Sequence, residues 1–196
     1  MIIATTQNAG EGRSFGGSAD IAFKPFPDDT LHFGVEYLNT KYTDFVFQSP
    51  IAGGLRFISP VGTGCVLTEN SAATTQTVNC SGKPFTRSPK WFGVASYVHS
   101  FELANGAKID AKGDMSFQSS RWLGTEYLVN AAPYALFNAS LTYRSASDAL
   151  TVSAFIRNIA DKAVFTASKN SSFVPDFETV TISPPRTFGM RVSYKY

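Results

Sequence analysis

The sequence predicts an all-β protein, and within that class an antiparallel up-and-down transmembrane β-barrel wall of about eight strands. Three observations predict it. Segments of roughly eight to eleven residues alternate apolar and polar side chains at every step, the period of a strand with two unlike faces. The connections between them alternate short and long, the habit of outer-membrane barrels. The composition suits strands and turns: aromatics reach 14%, with 17 Phe and 8 Tyr, and 15 Gly and 10 Pro punctuate the chain. Charged residues are only 16%, below the roughly 25% of soluble domains.

The segments run as follows. Met1 to Gln7 is short and weak. "RSFGGSADIAF" places Phe15, Ala19, Ile21 and Phe23 on one face and Ser14, Ser18 and Asp20 on the other. After the turn signal Pro27-Asp28-Asp29, "LHFGVEY" sets Leu31, Phe33, Val35 and Tyr37 against His32, Gly34 and Glu36. "WFGVASYVHSF" is apolar on both faces, so its register is the least clear. Ala104-Asn105-Gly106 reads as a tight hairpin turn. "AKIDAKGDMSF" is the cleanest: Ile109, Ala111, Met115 and Phe117 oppose Lys108, Asp110, Lys112, Asp114 and Ser116. "LFNASLTYR" sets Phe137, Ala139, Leu141 and Tyr143 against Asn138, Ser140, Thr142 and Arg144. "LTVSAFIRN" alternates Leu150, Val152, Ala154 and Ile156 with Thr151, Ser153 and Arg157, and Phe155 interrupts its polar face. The final segment puts Phe188, Met190, Val192, Tyr194 and Tyr196 on one face, with Val192 near mid-strand, and Gly189, Arg191, Ser193 and Lys195 on the other. No helical periodicity of useful length occurs.

Short connections fall at 27–29, 104–106 and 145–148, and long ones at about 48–89, 121–133 and 160–185. Antiparallel strands then gather the short ones on one rim and most of the long ones on the other. Charge sits within mid-strand on the polar faces, while the apolar faces mix Ala and Gly with aromatics near strand ends. About ten residues at 3.3 Å, tilted near 45°, cover roughly 23 Å, close to an outer-membrane apolar band. In a barrel, Phe188, Met190, Val192, Tyr194 and Tyr196 face lipid. A soluble β-sandwich or β-barrel binding a small apolar ligand remains the alternative on pattern alone.

The net charge of +2, without a Lys/Arg stripe, argues against nucleic acid. No run is long and apolar enough for a transmembrane helix, and "MIIATTQNAGEG" lacks the basic start of a signal peptide. Cys65 and Cys80 share one polar stretch. After export they are candidates for a disulfide closing a loop of roughly 15 residues, worth about 3 kcal/mol; in a reducing compartment they are two free thiols. A zinc site is disfavoured because His32 and His99 lie far from them in sequence. Each lone His reads as a lumen or rim residue rather than a catalyst. Asp110 and Asp114 stand about 13 Å apart along one face, beyond the roughly 5–9.5 Å of a glycosidase pair. "GEGRSFGG" precedes no helix and is not a phosphate cradle. No catalytic, metal or cofactor site is expected.

Four phrases carry a family likeness. "GRSFGGSADIAFKPFPDDTLHFGVEYLNTKYTDF" resembles the paired strands late in TonB-dependent outer-membrane receptors. "GKPFTRSPKW" is similar to the return from a long outer loop, and "VSAFIRNIADKAVF" to the penultimate strand with its phrase at Asn158 to Lys162. "PPRTFGMRVSYKY" resembles the closing Pro-Arg-x-x-Gly strand. The resemblance implies that residues 1–196 are the C-terminal part of a receptor barrel of roughly 22 strands, with the N-terminal plug and coupling box missing. It implies a bacterial outer-membrane location, a periplasmic C-terminus and extracellular long loops. Partners are then membrane lipid, the barrel-assembly machinery reading Tyr196 as its signal, and a TonB-type energy coupler acting through the missing plug. The ligand is a scarce nutrient, such as an iron chelate, cobalamin or a saccharide, unknown in detail. A small self-contained outer-membrane barrel, structural or adhesive, is the nearest alternative.

Overall fold

A computed structural model of the chain describes residues 10–50, 63–69, 75–170 and 178–196. Its strands are β1 (Glu11–Phe23), β2 (Asp29–Asp44), β3 (Val46–Pro50), β4 (Val66–Glu69), β5 (Thr75–Asn79), β6 (Trp91–Glu102) and β7 (Lys108–Gln118). They continue with β8 (Arg121–Trp122), β9 (Asn130–Ala131), β10 (Tyr134–Arg144), β11 (Leu150–Arg157), β12 (Phe165–Asn170), β13 (Glu178–Ile182) and β14 (Thr187–Tyr194). Seven of them form one sheet in the order β1-β2-β6-β7-β10-β11-β14. Every pair is antiparallel, and each strand lies beside the next one of the sheet in chain order. This is an up-and-down meander whose two edges, β1 and β14, have no partner strand among the described residues, an open wall rather than a closed barrel. The expected first segment, Met1 to Gln7, lies outside the described residues.

The turns form where the local chemistry asks for them. Gly106 at φ +81° allows the tight turn between β6 and β7, closed by its N–H to the Leu103 carbonyl at 2.9 Å. The β10–β11 turn is closed by the Asp148 N–H on the Ser145 carbonyl, and the Ser145 hydroxyl accepts from the Leu150 N–H. The β1–β2 turn is closed by the Asp29 N–H on the Phe26 carbonyl. All three therefore sit on one rim.

Register joins the strand faces into two continuous walls. One row of directly paired residues runs Ile21, Phe33, Ala95, Met115, Phe137 across five strands. Another runs Leu31, Tyr97, Gly113, Ala139, Ile156, Phe188. The register of β6, ambiguous in sequence, puts Trp91, Gly93, Ala95, Tyr97, His99 and Phe101 on this apolar wall. On β1, β6 and β14 the apolar stripe begins and ends with an aromatic: Phe15 and Phe23, Trp91 and Phe101, Phe188 and Tyr194. Among the described residues nothing covers the wall: Ile21 is 55% exposed, Leu141 51% and Met190 71%. Among the described residues, every buried hydrophobic side chain lies outside the seven strands, at Phe45, Cys65, Val78, Cys80, Ala107, Leu123, Tyr127, Ala131 and Val164.

Two corrections to the sequence reading follow. The long connections expected as loops at about 48–89, 121–133 and 160–185 carry the sheets β3-β5-β4, which begins already at Val46, β8-β9 and β12-β13. Their strands are two to six residues long, too short for alternation to stand out. Also, β14 ends at Tyr194, so Val192 lies two residues from its end rather than at mid-strand. Phe155, the apolar interruption of a polar face, has a local cause. Its ring lies over Gly189, where a Cβ would come within 2.7 Å, and the Arg157 guanidinium stands 5.1 Å from its centroid.

Candidate functional site

The polar wall carries a hydrogen-bonded ladder. Asp110 on β7 accepts from the Arg144 guanidinium at 2.9 Å and from the Ser100 hydroxyl at 2.7 Å, joining β6, β7 and β10. Asp114 accepts from the Asn138 amide at 2.7 Å, and the Asn138 carbonyl oxygen accepts from the Asn158 N–H at 2.9 Å. Thr142 and Ser153 share a hydrogen bond at 3.0 Å. Lys108 pairs with Glu102 at 2.7 Å and His32 with Asp20 at 2.8 Å. Alternation sends all of these to one side of the sheet, so the side that is polar in sequence is also the side whose polar groups answer one another.

The second feature crowns the opposite rim from the short turns. Phe45, Cys65, Val78, Cys80 and Tyr127 form a buried cluster, with Tyr42, Phe47, Leu67 and Trp122 packed against it. Cys65 and Cys80 are disulfide-bonded, with Cα atoms 4.8 Å apart. Tyr127 comes from the connection between β7 and β10, whereas the rest of the buried cluster comes from the connection between β2 and β6. Its hydroxyl donates to the Pro84 carbonyl at 2.6 Å. The Gly64 N–H and the Thr63 hydroxyl both donate to the Glu126 carbonyl, and the Arg87 N–H to the Trp122 carbonyl. Lys83 places its ammonium 5.5 Å from the Tyr127 ring and 5.7 Å from the Trp122 ring. Two long connections are thus welded into one body with its own small core.

Burial sets the electrostatics of this crown. It pushes the Tyr127 hydroxyl pKa up, with a smaller contribution from Tyr42, so the phenol stays protonated and available as a donor. The connection between β11 and β14 also reaches the crown, with Ser168 on β12 beside Gly124; burial there raises the Glu178 carboxyl on β13, and the charge of Glu126 adds to it.

Of the residues singled out in sequence, Phe188, Met190, Val192, Tyr194 and Tyr196 stand together on the apolar side of β14 and beyond its end, all well exposed. His32 lies on the polar wall. His99 lies on the apolar wall, bonded to Asp29. Sequence reasoning missed the contributions of Tyr42, Lys83, Trp122 and Tyr127. The local signal was two aromatics, Trp122 and Tyr127, in the connection between β7 and β10. Among the described residues no three His, Cys, Asp or Glu side chains gather as metal ligands.

Comparison with known proteins adds the following. The family described as TonB dependent receptor-like, beta-barrel, matches residues 3–159. Four chains of solved structures match, among them the ferric yersiniabactin uptake receptor FyuA from Yersinia pestis in its crystal structure. The identity is 12% and the TM-score 0.70, over 96% of this chain and 24% of that one. The likeness establishes the fold, and the chain spans about a quarter of that receptor's length. Among the curated proteins nothing matches.

Proposed function

The chain belongs to the TonB-dependent receptor family, in its β-barrel, and we propose that it serves as wall and outer loops of an outer-membrane receptor for active uptake of a scarce nutrient. One observation carries the membrane reading: the seven-stranded sheet has an extensive apolar wall and no buried hydrophobic side chain in any of its strands. A soluble sheet of this size would cover such a wall with a second layer. A bilayer covers it instead. The aromatic-ended stripes support this, since Trp91 to Phe101 at about 3.3 Å per residue and a tilt near 45° spans about 23 Å.

The polar wall then lines the lumen. The short turns and the end of β14 face the periplasm, and the crown faces outward. There the ligand, an iron chelate, cobalamin or a saccharide-like molecule, is met first. Coupling to the inner-membrane energy source runs through a plug domain. Tyr196 serves the assembly machinery. Among the described residues β1 and β14 have no partner strand, which supports this reading over a small self-contained barrel, because unpaired strand edges are not tolerated in lipid.

Membrane fractionation and uptake test the proposal together. The protein is expected in the outer-membrane fraction. Deleting it is expected to slow growth under limitation of one of iron, cobalamin or oligosaccharide, to the same extent as deleting the energy coupler. Recovery in the soluble fraction, or uptake that persists without the coupler, would overturn it.

A further inference from the structure

The apolar wall contains a polar cluster near the short-turn rim. Asp29, at the start of β2, is 7% exposed. In register it faces His99, which faces Ala111 in turn. The Tyr97 hydroxyl donates to Asp29 Oδ1 at 2.7 Å, and His99 Nδ1 bonds the same oxygen. Oδ2 takes no hydrogen bond among the described residues. Phe101 packs edge-on to the His99 ring, with centroids 4.3 Å apart. A carboxylate is thus held near the short-turn rim of the apolar wall.

Directly beside it the wall is hollow. Ala111, Gly113, Ala139 and Ala154 floor an open apolar concavity of about 580 Å³, and Tyr97 and Leu141 wall it. That volume lies within the range of small-molecule sites. Gly113 has nothing within 4 Å of where a Cβ would stand. Tyr97 belongs to both features: its ring walls the hollow and its hydroxyl holds Asp29. Polar anchor and apolar groove therefore adjoin, the anchor nearer the rim, the order of a lipid's headgroup and chain.

We propose that this is a binding site for one glycerophospholipid with a primary ammonium headgroup. The ammonium donates to Asp29 Oδ2, and an acyl chain lies in the groove beside Gly113. Charge complementarity selects this occupant. A carboxylate on a lipid-facing wall demands a cation or a donor for its second oxygen, and an amine headgroup carries both. The inference rests on the membrane reading above.

The test uses the protein purified from its membrane in mild detergent, with native mass spectrometry during competition between phosphatidylethanolamine and phosphatidylcholine of the same acyl chains. The choline lipid has equal charge but no N–H to donate. Retention of the ethanolamine lipid is expected to be favoured by roughly tenfold, the worth of one charge-assisted hydrogen bond. Asp29→Asn is expected to bring the ratio close to one. Gly113→Leu puts a side chain into the groove from a position where a Cβ meets nothing within 4 Å, and is expected to weaken both lipids about equally. Equal retention by the unaltered protein, an unchanged ratio in Asp29→Asn, or undiminished retention in Gly113→Leu would each overturn the site. Recovery of the protein from the soluble fraction would instead overturn the membrane reading, and the lipid site with it.

Discussion

Arginine placed step by step along the outer face of β14 should read out the depth of the bilayer. Tyr194 stands at the lower end of the strand, opposite Leu150, which follows the 145–149 turn. At about 3.3 Å per residue and a tilt near 45°, each pair of residues climbs about 5 Å. Val192 then lies about 5 Å above Tyr194 and Met190 about 9 Å, the latter approaching the middle of an apolar band about 25 Å tall. The cost of Arg on a lipid-facing strand is about 2–4 kcal/mol at the midplane and about 0–1 near the interface. Met190→Arg is therefore expected to destabilise by about 2–4 kcal/mol, Val192→Arg by about 1–2, and Tyr194→Arg by at most about 1. Ser193 faces the other way, beside Thr151 and near Arg191, and Ser193→Arg should cost little. Guanidinium titration of the protein extracted from its membrane, followed by heat-modified gel mobility, gives the four values. Equal penalties at 190, 192 and 194 would refute the bilayer geometry. So would a Ser193→Arg penalty equal to that of Met190→Arg.

Three further outcomes concern the crown. The Cys65–Cys80 bond closes a separation of 15 residues; removing it in the double serine variant should cost the outer loops about 3 kcal/mol. Thiol labelling of the unreduced, denatured protein should find no reactive group, and two labels per chain would refute the bond. Tyr127→Phe leaves the Pro84 carbonyl without its donor. It should weaken the crown by about 1–3 kcal/mol, seen as faster hydrogen exchange at 83–87 and 122–127 with the seven-stranded wall unchanged. Glu178 binds its proton more tightly folded than unfolded, so it favours the folded crown below the ordinary carboxyl range and loses that contribution as pH rises through its raised value. Glu178→Gln should therefore make the crown more resistant to proteolysis at neutral pH and flatten its pH dependence; an unchanged pH profile would refute this.

The sequence by itself determined the wall. Alternation in Ile109, Ala111, Met115 and Phe117, and again in Phe137, Ala139, Leu141 and Tyr143, is a local property of the chain and survives without neighbours. The short turns were equally local, since Asn105-Gly106 specifies its own backbone. The family phrases from Gly12 to Phe45 and from Val152 to Phe165 were legible for the same reason. Only the tertiary structure decided the rest. The apolar residues of β6 could face either way until pairing with β2 and β7 set His99 opposite Asp29. The crown's core joins Phe45, Cys65, Val78 and Cys80 to Tyr127 from a separate connection. Strands of two to six residues leave no periodic trace. Their order comes from a disulfide, a buried phenol and carbonyls reached across the fold, contacts between residues distant in the chain that no short stretch of sequence encodes.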